Sequence, residues 1–215
     1  MFTKEKVFRI IILFLGLVIA HLGVTLFLLA DLGADPFNVL IQGLFRLLGE
    51  RITILTHGIT HMAVCFFIII ILLLTKRNYI KIGTLVCMFF GGPIIDIFSW
   101  TLAPIHIEKM NIVLKVLVLA LGCVILAFGM TIVIRSDAGT GPNDLVAVVI
   151  SETKKWKFGI VRITVDCSFI LIGFLLGGKF GIGTIICAFL VGPIADFFLP
   201  KSDWLVKRSL ACLEK

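Results

Sequence analysis

The stretch TLVCMFFGGPIIDIF, residues 84–98, returns as TIICAFLVGPIADFF at residues 184–198. Both copies hold a Gly-Pro pair and an aspartate three residues after the proline, Asp96 in the first and Asp196 in the second. Earlier in the chain, other glycines, prolines and acidic residues recur at separations of 106 and 101 residues. The whole chain is therefore predicted to be an internal duplication.

The composition indicates that the protein is embedded in a lipid bilayer. Of its 215 residues, 60% are hydrophobic and only 15% are charged, and the mean hydropathy is +1.15. A soluble domain of this length has too little interior to hide so much apolar surface. Residues 10–30, 52–75 and 116–134 carry no formal charge, and about 20 apolar residues cross a bilayer as a helix. The sequence therefore predicts an all-α polytopic membrane protein.

Each half of the chain is expected to contain one long helix, one short helix and two further long helices. Residues 1–103 form the first predicted membrane repeat, residues 104–200 the second, and residues 201–215 a cytoplasmic interfacial tail. The short helices are predicted to begin at Pro36 and Pro142, because proline is favourable at the first helical position. The total is six transmembrane helices and two short helices of half-membrane or interfacial type. The predicted ranges of the long helices are 8–30, 57–75, 82–103, 113–134, 159–177 and 181–199.

Lysine and arginine favour an inverted arrangement of the two repeats. If the short helices do not cross the membrane, each repeat crosses three times and the second repeat is upside down. Basic residues should then be more frequent in whichever copy of a loop faces the cytoplasm. The third loop has Lys76, Arg77 and Lys81 in the first half against Lys179 in the second, and the other loops differ in the same sense. Both termini are accordingly expected in the cytoplasm.

The two short helices begin at GADPFN, residues 33–38, and GTGPND, residues 139–144. A helix N-terminus presents free N–H groups and the positive end of the helix dipole. One interpretation is that Asp35, Asn38 and Asp144 only cap their own helices. The other is that both termini meet at the repeat interface and bind a substrate. The acidic residues favour a cation or a proton-coupled ligand over a bare anion.

Ionisable side chains within a membrane span are costly and by default indicate function. Arg162 and Asp166 stand four residues apart, so they share a helix face and can form a pair. The equivalent positions in the first half are His61 and Cys65. The pair is either a structural element or, together with His61, part of a substrate site, and the sequence leaves both open. His21, alone in the first span, is expected to be a hydrogen-bonded packing residue.

The repeated Gly-Pro pairs predict close helix packing. Pro93 and Pro193 lie inside predicted spans, where proline frees a carbonyl group and bends the helix. Gly92 and Gly192 belong to stripes of small residues that allow helices to approach closely, and each copy is expected to meet its counterpart across the repeat interface. The two repeated aspartates near these helix ends have a structural or coupling role, either loop capping or transport chemistry.

These motifs resemble those of the YczE/YyaS/YitT group of bacterial integral membrane proteins. The segments that carry the resemblance are GTGPNDL (139–145), GIGTIICAFLVGPIAD (181–196) and their weaker copies GADPFNVL (33–40) and KIGTLVCMFFGGPIID (81–96). The resemblance covers most of residues 10–200. It implies a multi-pass protein of the bacterial cytoplasmic membrane. It implies little about chemistry, because that family is largely without an assigned function, although transport has been the usual suggestion.

The leading functional hypothesis is a small secondary transporter or permease for a small polar solute. The alternative is a non-transporting scaffold or accessory subunit of another membrane complex, and a homodimer or a membrane partner is left open. An enzyme is not expected, because the sequence has no nucleophile–base constellation or cofactor loop. No metal site and no cofactor are expected either, since the six cysteines form no CxxC pair. The net charge of +7 is attributed to contacts with the lipid bilayer rather than with nucleic acid.

Overall fold

The structure is a computed structural model that describes residues 4–49, 55 and 57–211. Within these residues the chain is helical and contains no strand. The α-helices are α1 (Lys4–Ala30), α2 (Pro36–Gly49), α3 (His57–Lys76), α4 (Ile82–Leu102), α5 (Ile112–Arg135), α6 (Pro142–Lys154), α7 (Phe158–Leu175) and α8 (Ile182–Ala211). Short 3₁₀ turns lie at Arg77–Tyr79, Ala103–Ile105 and Ile107–Lys109. The predicted alternation of long and short helices is confirmed.

Six of the described helices are long and apolar enough to cross a membrane: α1, α3, α4, α5, α7 and α8. The other two, α2 and α6, have 14 and 13 residues. At 1.5 Å per residue they reach about 20 Å, which is less than the roughly 30 Å of a bilayer core. The predicted set of six spans and two short helices is thus confirmed, and α2 and α6 begin at Pro36 and Pro142 as expected.

The last helix is longer than predicted. Instead of ending at residue 199, α8 runs through Pro193 and Pro200 to Ala211 and has a total length of 30 residues. Ser202 and Val206 are buried, and the Ser202 hydroxyl lies 2.8 Å from the Thr131 hydroxyl of α5. The predicted helix end at residue 199 was therefore wrong, and residues 201–211 of the predicted tail continue α8, because packing against α5 keeps the chain helical beyond Pro200. Residues 212–215 of that tail lie outside the described residues.

The first span of each half packs against the other with its backbone in direct contact. A Cβ atom added to Gly23 of α1 would lie 2.6 Å from the Gly122 carbonyl oxygen of α5. One added to Gly129 of α5 would lie 2.6 Å from the Gly16 carbonyl oxygen of α1. Because later residues of α1 meet earlier residues of α5, the two helices run antiparallel. Small residues allow this approach without loss of packing.

Contacts in the two halves follow one pattern. Within the halves, α1 touches α4 as α5 touches α8, and α2 touches α3 as α6 touches α7. Between the halves, α2 packs on α7 and α6 packs on α3. The molecule therefore has two walls of similar construction, one from each half, that face each other.

The turns that precede the two short helices each bind the opposite half. The Leu32 carbonyl accepts a 2.8 Å hydrogen bond from Gly183 N–H, and the Ala138 carbonyl accepts a 2.8 Å bond from Gly83 N–H. Within these turns Gly33 and Gly139 have φ values of +119° and +136°, which only glycine adopts without strain. The turns thus anchor the start of each short helix to the start of the last span of the other half.

The Gly-Pro stripes pack differently from the prediction. A Cβ atom on Gly192 would lie 2.8 Å from the Gly159 carbonyl oxygen of α7, within the same half. One on Gly92 would be 3.8 Å from Gly58 Cα of α3, also within its own half. The expectation that the two stripes meet across the repeat interface was wrong. The first turns of α4 and α8 instead contact the other half through the turns before α6 and α2. Pro93 and Pro193 lie inside α4 and α8 and are exposed.

Candidate functional site

The N-terminal ends of both short helices line one cavity between the two halves. It offers about 60 Å³ of space to water-sized molecules, which is room for a few waters, an ion or a very small solute. Apolar residues of α1 and α5 complete its walls. Its polar lining residues are His21, Asp35, Asn38, His61, Asn143, Asp144 and Arg162.

At the first-half wall, the carboxylate of Asp35 serves its own helix. Asp35 Oδ2 accepts a 3.2 Å hydrogen bond from the backbone N–H of Asn38, and Oδ1 accepts a 2.6 Å bond from the Asn38 side-chain amide. This is the geometry of an N-cap, in which a side-chain oxygen satisfies a free N–H of the first turn. Both residues are buried. The capping interpretation therefore describes Asp35, although the residue also faces the cavity.

At the second-half wall, the carboxylate reaches a neighbouring helix. Gly141 occupies the N-cap position of α6 and provides no side-chain cap, and Asp144 lies in the first turn. Asp144 forms an ion pair with the Arg162 guanidinium of α7, and its Oδ1 accepts a 2.9 Å hydrogen bond from the Asn143 side chain. Its side chain is 16% exposed. Asp144 is thus not a simple cap, because it pairs with another helix beside the cavity.

One arginine is shared by two carboxylates. Arg162 Nε donates a 2.9 Å hydrogen bond to Asp166 Oδ2, while Nη1 meets Asp144. A guanidinium has five N–H donors in a rigid fork and suits such a shared arrangement. Asp166 is fully buried, and its Oδ1 has no hydrogen-bond partner within the described part of the chain. Asp166 does not line the cavity, so it contributes through Arg162.

The equivalent positions of the first half carry no charge pair. His61 lines the cavity from α3, and its Nδ1 lies 3.8 Å from Cys65 Sγ, one turn further along the helix. The His61 ring also packs edge-on against Phe37 at 5.3 Å between centroids. Histidine and cysteine therefore occupy the places that arginine and aspartate occupy in the second half, and the arginine–carboxylate pairing is found in the second-half wall.

His21 is a cavity residue that sequence reasoning assigned only to packing. Its Nδ1 lies 2.8 Å from the Leu17 carbonyl oxygen, and because a carbonyl can only accept, Nδ1 carries a proton and donates this bond. The ring lies against Gly91, where a Cβ atom would be 2.9 Å from Nε2. The predicted hydrogen bond is confirmed. The signal for the cavity position was a lone histidine within an uncharged run.

The remaining predicted residues do not line this cavity. The exposed Asp196 accepts a 3.1 Å hydrogen bond from Gly159 N–H and so caps the start of α7. Asp96 is exposed on α4. Gly92 and Gly192 are packing positions, whereas Pro93 and Pro193 are exposed. No group of three or more potential metal ligands was found within the described residues.

An all-helical chain with six spanning helices and charged groups buried between them is a polytopic membrane protein. Residues 7–200 match the family described as "Family of unknown function (DUF6198)", and the chain belongs to that family.

Relatives agree with this assignment. The "Uncharacterized membrane protein YczE" of Bacillus subtilis is 30% identical over 97% of this chain and 93% of its own length. The "Uncharacterized protein YyaS" of the same organism is 27% identical over 86% of this chain and 90% of its own. An "Uncharacterized protein" of Haemophilus influenzae is 28% identical over 87% and 82%. The resemblance drawn from the motifs is confirmed, and no solved structure matches the chain.

Proposed function

We propose that the protein is a small secondary transporter or permease of the cell membrane, with its solute site in the cavity between the two halves. The observation that carries this proposal is the meeting of both short-helix N-termini at that cavity. In secondary transporters, half-membrane helices of two inverted repeats present their N-termini to the solute near the bilayer midplane. Arg162, Asp144 and Asp166 add buried charge of the kind that marks solute or proton pathways.

The proposal includes an inverted internal repeat with both termini in the cytoplasm. The antiparallel contact of α1 with α5 and the reciprocal contacts of the two turns support it. A labelling reporter at Asn78 is expected to be accessible from the cytoplasm, and one at Gly178 from outside. Accessibility of both positions from one side would contradict the inversion and favour parallel repeats.

The charges around the cavity favour a solute that carries a positive charge, or transport coupled to a proton. Asp35, Asp144 and Asp166 supply three carboxylates against one guanidinium. Each short-helix N-terminus adds about half a positive charge. With the histidines neutral, about one negative charge is left over, which a single cationic group or proton would balance. A bare anion would have to displace carboxylates that Arg162 already binds.

Electrical recording on liposomes tests the proposal. Purified protein is reconstituted, adsorbed on a solid-supported membrane and exposed to concentration jumps of methylammonium, ethanolamine, glycine and acetate. We expect a transport current with at least one cationic probe and none with acetate. Asp144→Asn should abolish that current, whereas Asp96→Asn, at an exposed position outside the cavity, should retain it. Equal currents from the two variants would contradict a site at the cavity.

The same preparation distinguishes a transporter from the alternative, a non-transporting scaffold. A scaffold would give no current with any probe and would co-purify with another membrane protein in fixed stoichiometry. That combined result would overturn the transport proposal.

A further inference from the structure

A second pocket lies away from the central cavity, at the end of the molecule where α1 begins. It offers about 270 Å³ to water-sized molecules, and it is lined by Lys6, Arg9, Ile10, Lys81, Ile82, Asp137 and Ala138. Three separate segments build it: the first turns of α1, the first turn of α4 and the turn between α5 and α6. Three of its lining residues are basic and one is acidic.

Neighbouring groups leave the pocket positive. Lys81 pairs with Asp137 and also donates a 2.9 Å hydrogen bond to the Asp137 carbonyl. Arg9 Nε pairs with Glu5 at 2.9 Å, and its Nη1 donates a 3.1 Å bond to the Ser136 carbonyl. Lys6 has no carboxylate within ion-pair distance among the described residues. One full positive charge is therefore left without a counterion.

The dipole of α4 adds to this charge, because α4 begins at the pocket with Ile82. The N-terminal end of a helix carries the positive end of its dipole. The Gly83 N–H already donates to the Ala138 carbonyl, so a ligand would meet the basic side chains rather than free N–H groups. Unpaired Lys6 beside this helix end favours an anion over a cation.

The surface of α1 and α4 next to the pocket is apolar and exposed. Ile82 of α4 is 52% exposed, and Ile11 of α1 is 48% exposed. One to two turns further into α1, Phe14 packs edge-on against Phe90 of α4 with 5.5 Å between ring centroids. A ligand with an anionic head and an apolar tail would place its head among the basic residues and its tail along these side chains.

We propose that this pocket binds the phosphate of an anionic phospholipid, whose acyl chains lie along α1 and α4. Basic pockets between membrane helices are suited to such headgroups. The apolar flank favours lipid over free phosphate, because a soluble anion would gain nothing from Ile11 and Phe14. The site is independent of the central cavity and of the transport proposal.

Native mass spectrometry of the detergent-solubilised protein tests this assignment. The protein is supplied with equal amounts of phosphatidylglycerol and phosphatidylcholine that have identical acyl chains. The wild type should retain phosphatidylglycerol preferentially. Lys6→Gln and Arg9→Gln should each weaken this retention about five-fold, which corresponds to about 1 kcal/mol for each basic residue near an anionic lipid surface. Equal retention of both lipids by the wild type would overturn the proposal.

Control variants separate binding from folding. Lys179→Gln removes a lysine that pairs with Asp31 at 3.5 Å in the equivalent turn of the other half, outside the pocket, and it should leave lipid retention unchanged. Arg9→Lys keeps the charge and should retain phosphatidylglycerol better than Arg9→Gln. A loss in Lys179→Gln as large as in Lys6→Gln would contradict a specific pocket.

Two measurements on the wild type need no variant. Raising the ionic strength from about 0.01 M to about 1 M shortens the Debye length from about 30 Å to about 3 Å, and it should remove most of the preference for phosphatidylglycerol. Inorganic phosphate should not displace the lipid. Full displacement by phosphate would overturn the lipid assignment and identify a site for a free anion, and a preference unaffected by salt would overturn the electrostatic basis.

Discussion

At the start of α2 a carboxylate caps its own helix, whereas at the start of α6 the carboxylate pairs with an arginine from a neighbouring helix. Each Asp35 oxygen accepts one hydrogen bond from Asn38, while Asp144 shares Arg162 with Asp166. The backbone of the preceding turn is nevertheless alike in both halves, with positive φ at Gly33 and Gly139. The glycine-containing turn and the proline start therefore fix the position of each short helix, whichever group the carboxylate binds.

The chemistry of the two walls is set by a few side chains on that common frame. The positions that hold His61 and Cys65 in one wall hold Arg162 and Asp166 in the other. The first-half wall holds one carboxylate, Asp35, bound to its own helix, and the second-half wall carries a buried network of one arginine and two carboxylates. Substitutions that treat the two halves unequally are therefore the sharpest tests of this comparison.

Removal of the shared arginine should have the largest effect. Arg162→Gln leaves two carboxylates without their common partner, one of them fully buried, and should lower the free energy of unfolding by about 3–5 kcal/mol. His61→Gln, the matched change in the other wall, should lower the free energy of unfolding much less, because it leaves no buried carboxylate without a partner. Thermal melting of the purified variants measures both. Equal losses would show that the two walls do not differ electrostatically.

The double variant Arg162→Gln with Asp166→Asn separates a structural pair from a transport site. It should recover part of the stability lost in Arg162→Gln, because the fully buried Asp166 charge is gone and only Asp144, whose side chain is 16% exposed, still lacks the guanidinium. If the pair serves transport, the recovered protein should still give no current on the solid-supported membrane. A stable double variant with full current would leave Arg162 and Asp166 as a structural element only.

The two glycines before the repeated prolines should respond differently to alanine. Gly192→Ala should destabilise by about 1–3 kcal/mol, as overpacked sites do, since the new Cβ atom would be 2.8 Å from a backbone oxygen. Gly92→Ala should be neutral or slightly stabilising, because its Cβ atom would find an ordinary 3.8 Å contact and alanine favours helix. The melting temperatures of the two variants test this difference. A larger decrease for Gly92→Ala than for Gly192→Ala would contradict the described packing of α3 with α4.

Removal of the cap of α2 should have a moderate effect. Asp35→Ala should cost about 1 kcal/mol, and Asp35→Asn should cost little, because asparagine is an equally good N-cap. If Asp35→Asn is instead as unstable as Asp35→Ala, the negative charge rather than the cap holds this wall. The two melting temperatures distinguish these cases.

The smallest effect is expected at the repeated aspartate of the second half. Asp196→Ala removes the acceptor of one hydrogen bond at the start of α7, and the side chain is exposed, so the loss should be about 0.5 kcal/mol. Asp96→Ala is the matched variant in the first half. Loss of transport current with unchanged stability in either variant would indicate that the aspartate couples transport rather than stabilising the fold.

Much of the fold follows from local patterns. Apolar runs of span length placed six long helices, and Pro36 and Pro142 marked the start of the short ones, because both signals depend only on neighbouring residues. The end of α8 was missed because Pro200 is a local stop signal that the buried contacts of Ser202 and Val206 override. The partners of Gly92 and Gly192 were also missed, since a stripe of small residues indicates close packing without naming the neighbouring helix.

Hydrophobicity, helix starts and the cost of burying charge are properties of short segments, so the amino-acid pattern alone established the membrane environment, the helices, the repeated motifs and the candidate buried charges. The spacing of Arg162 and Asp166 already indicated their pair, whereas the contact of Arg162 with Asp144 depends on how the helices pack. Residues from α1, α2, α3, α6 and α7 line one cavity, although they are far apart in the chain. Whether Asp35 caps a helix and Asp144 binds an arginine depends on which helix stands within hydrogen-bond distance, and that distance is set by packing between the halves.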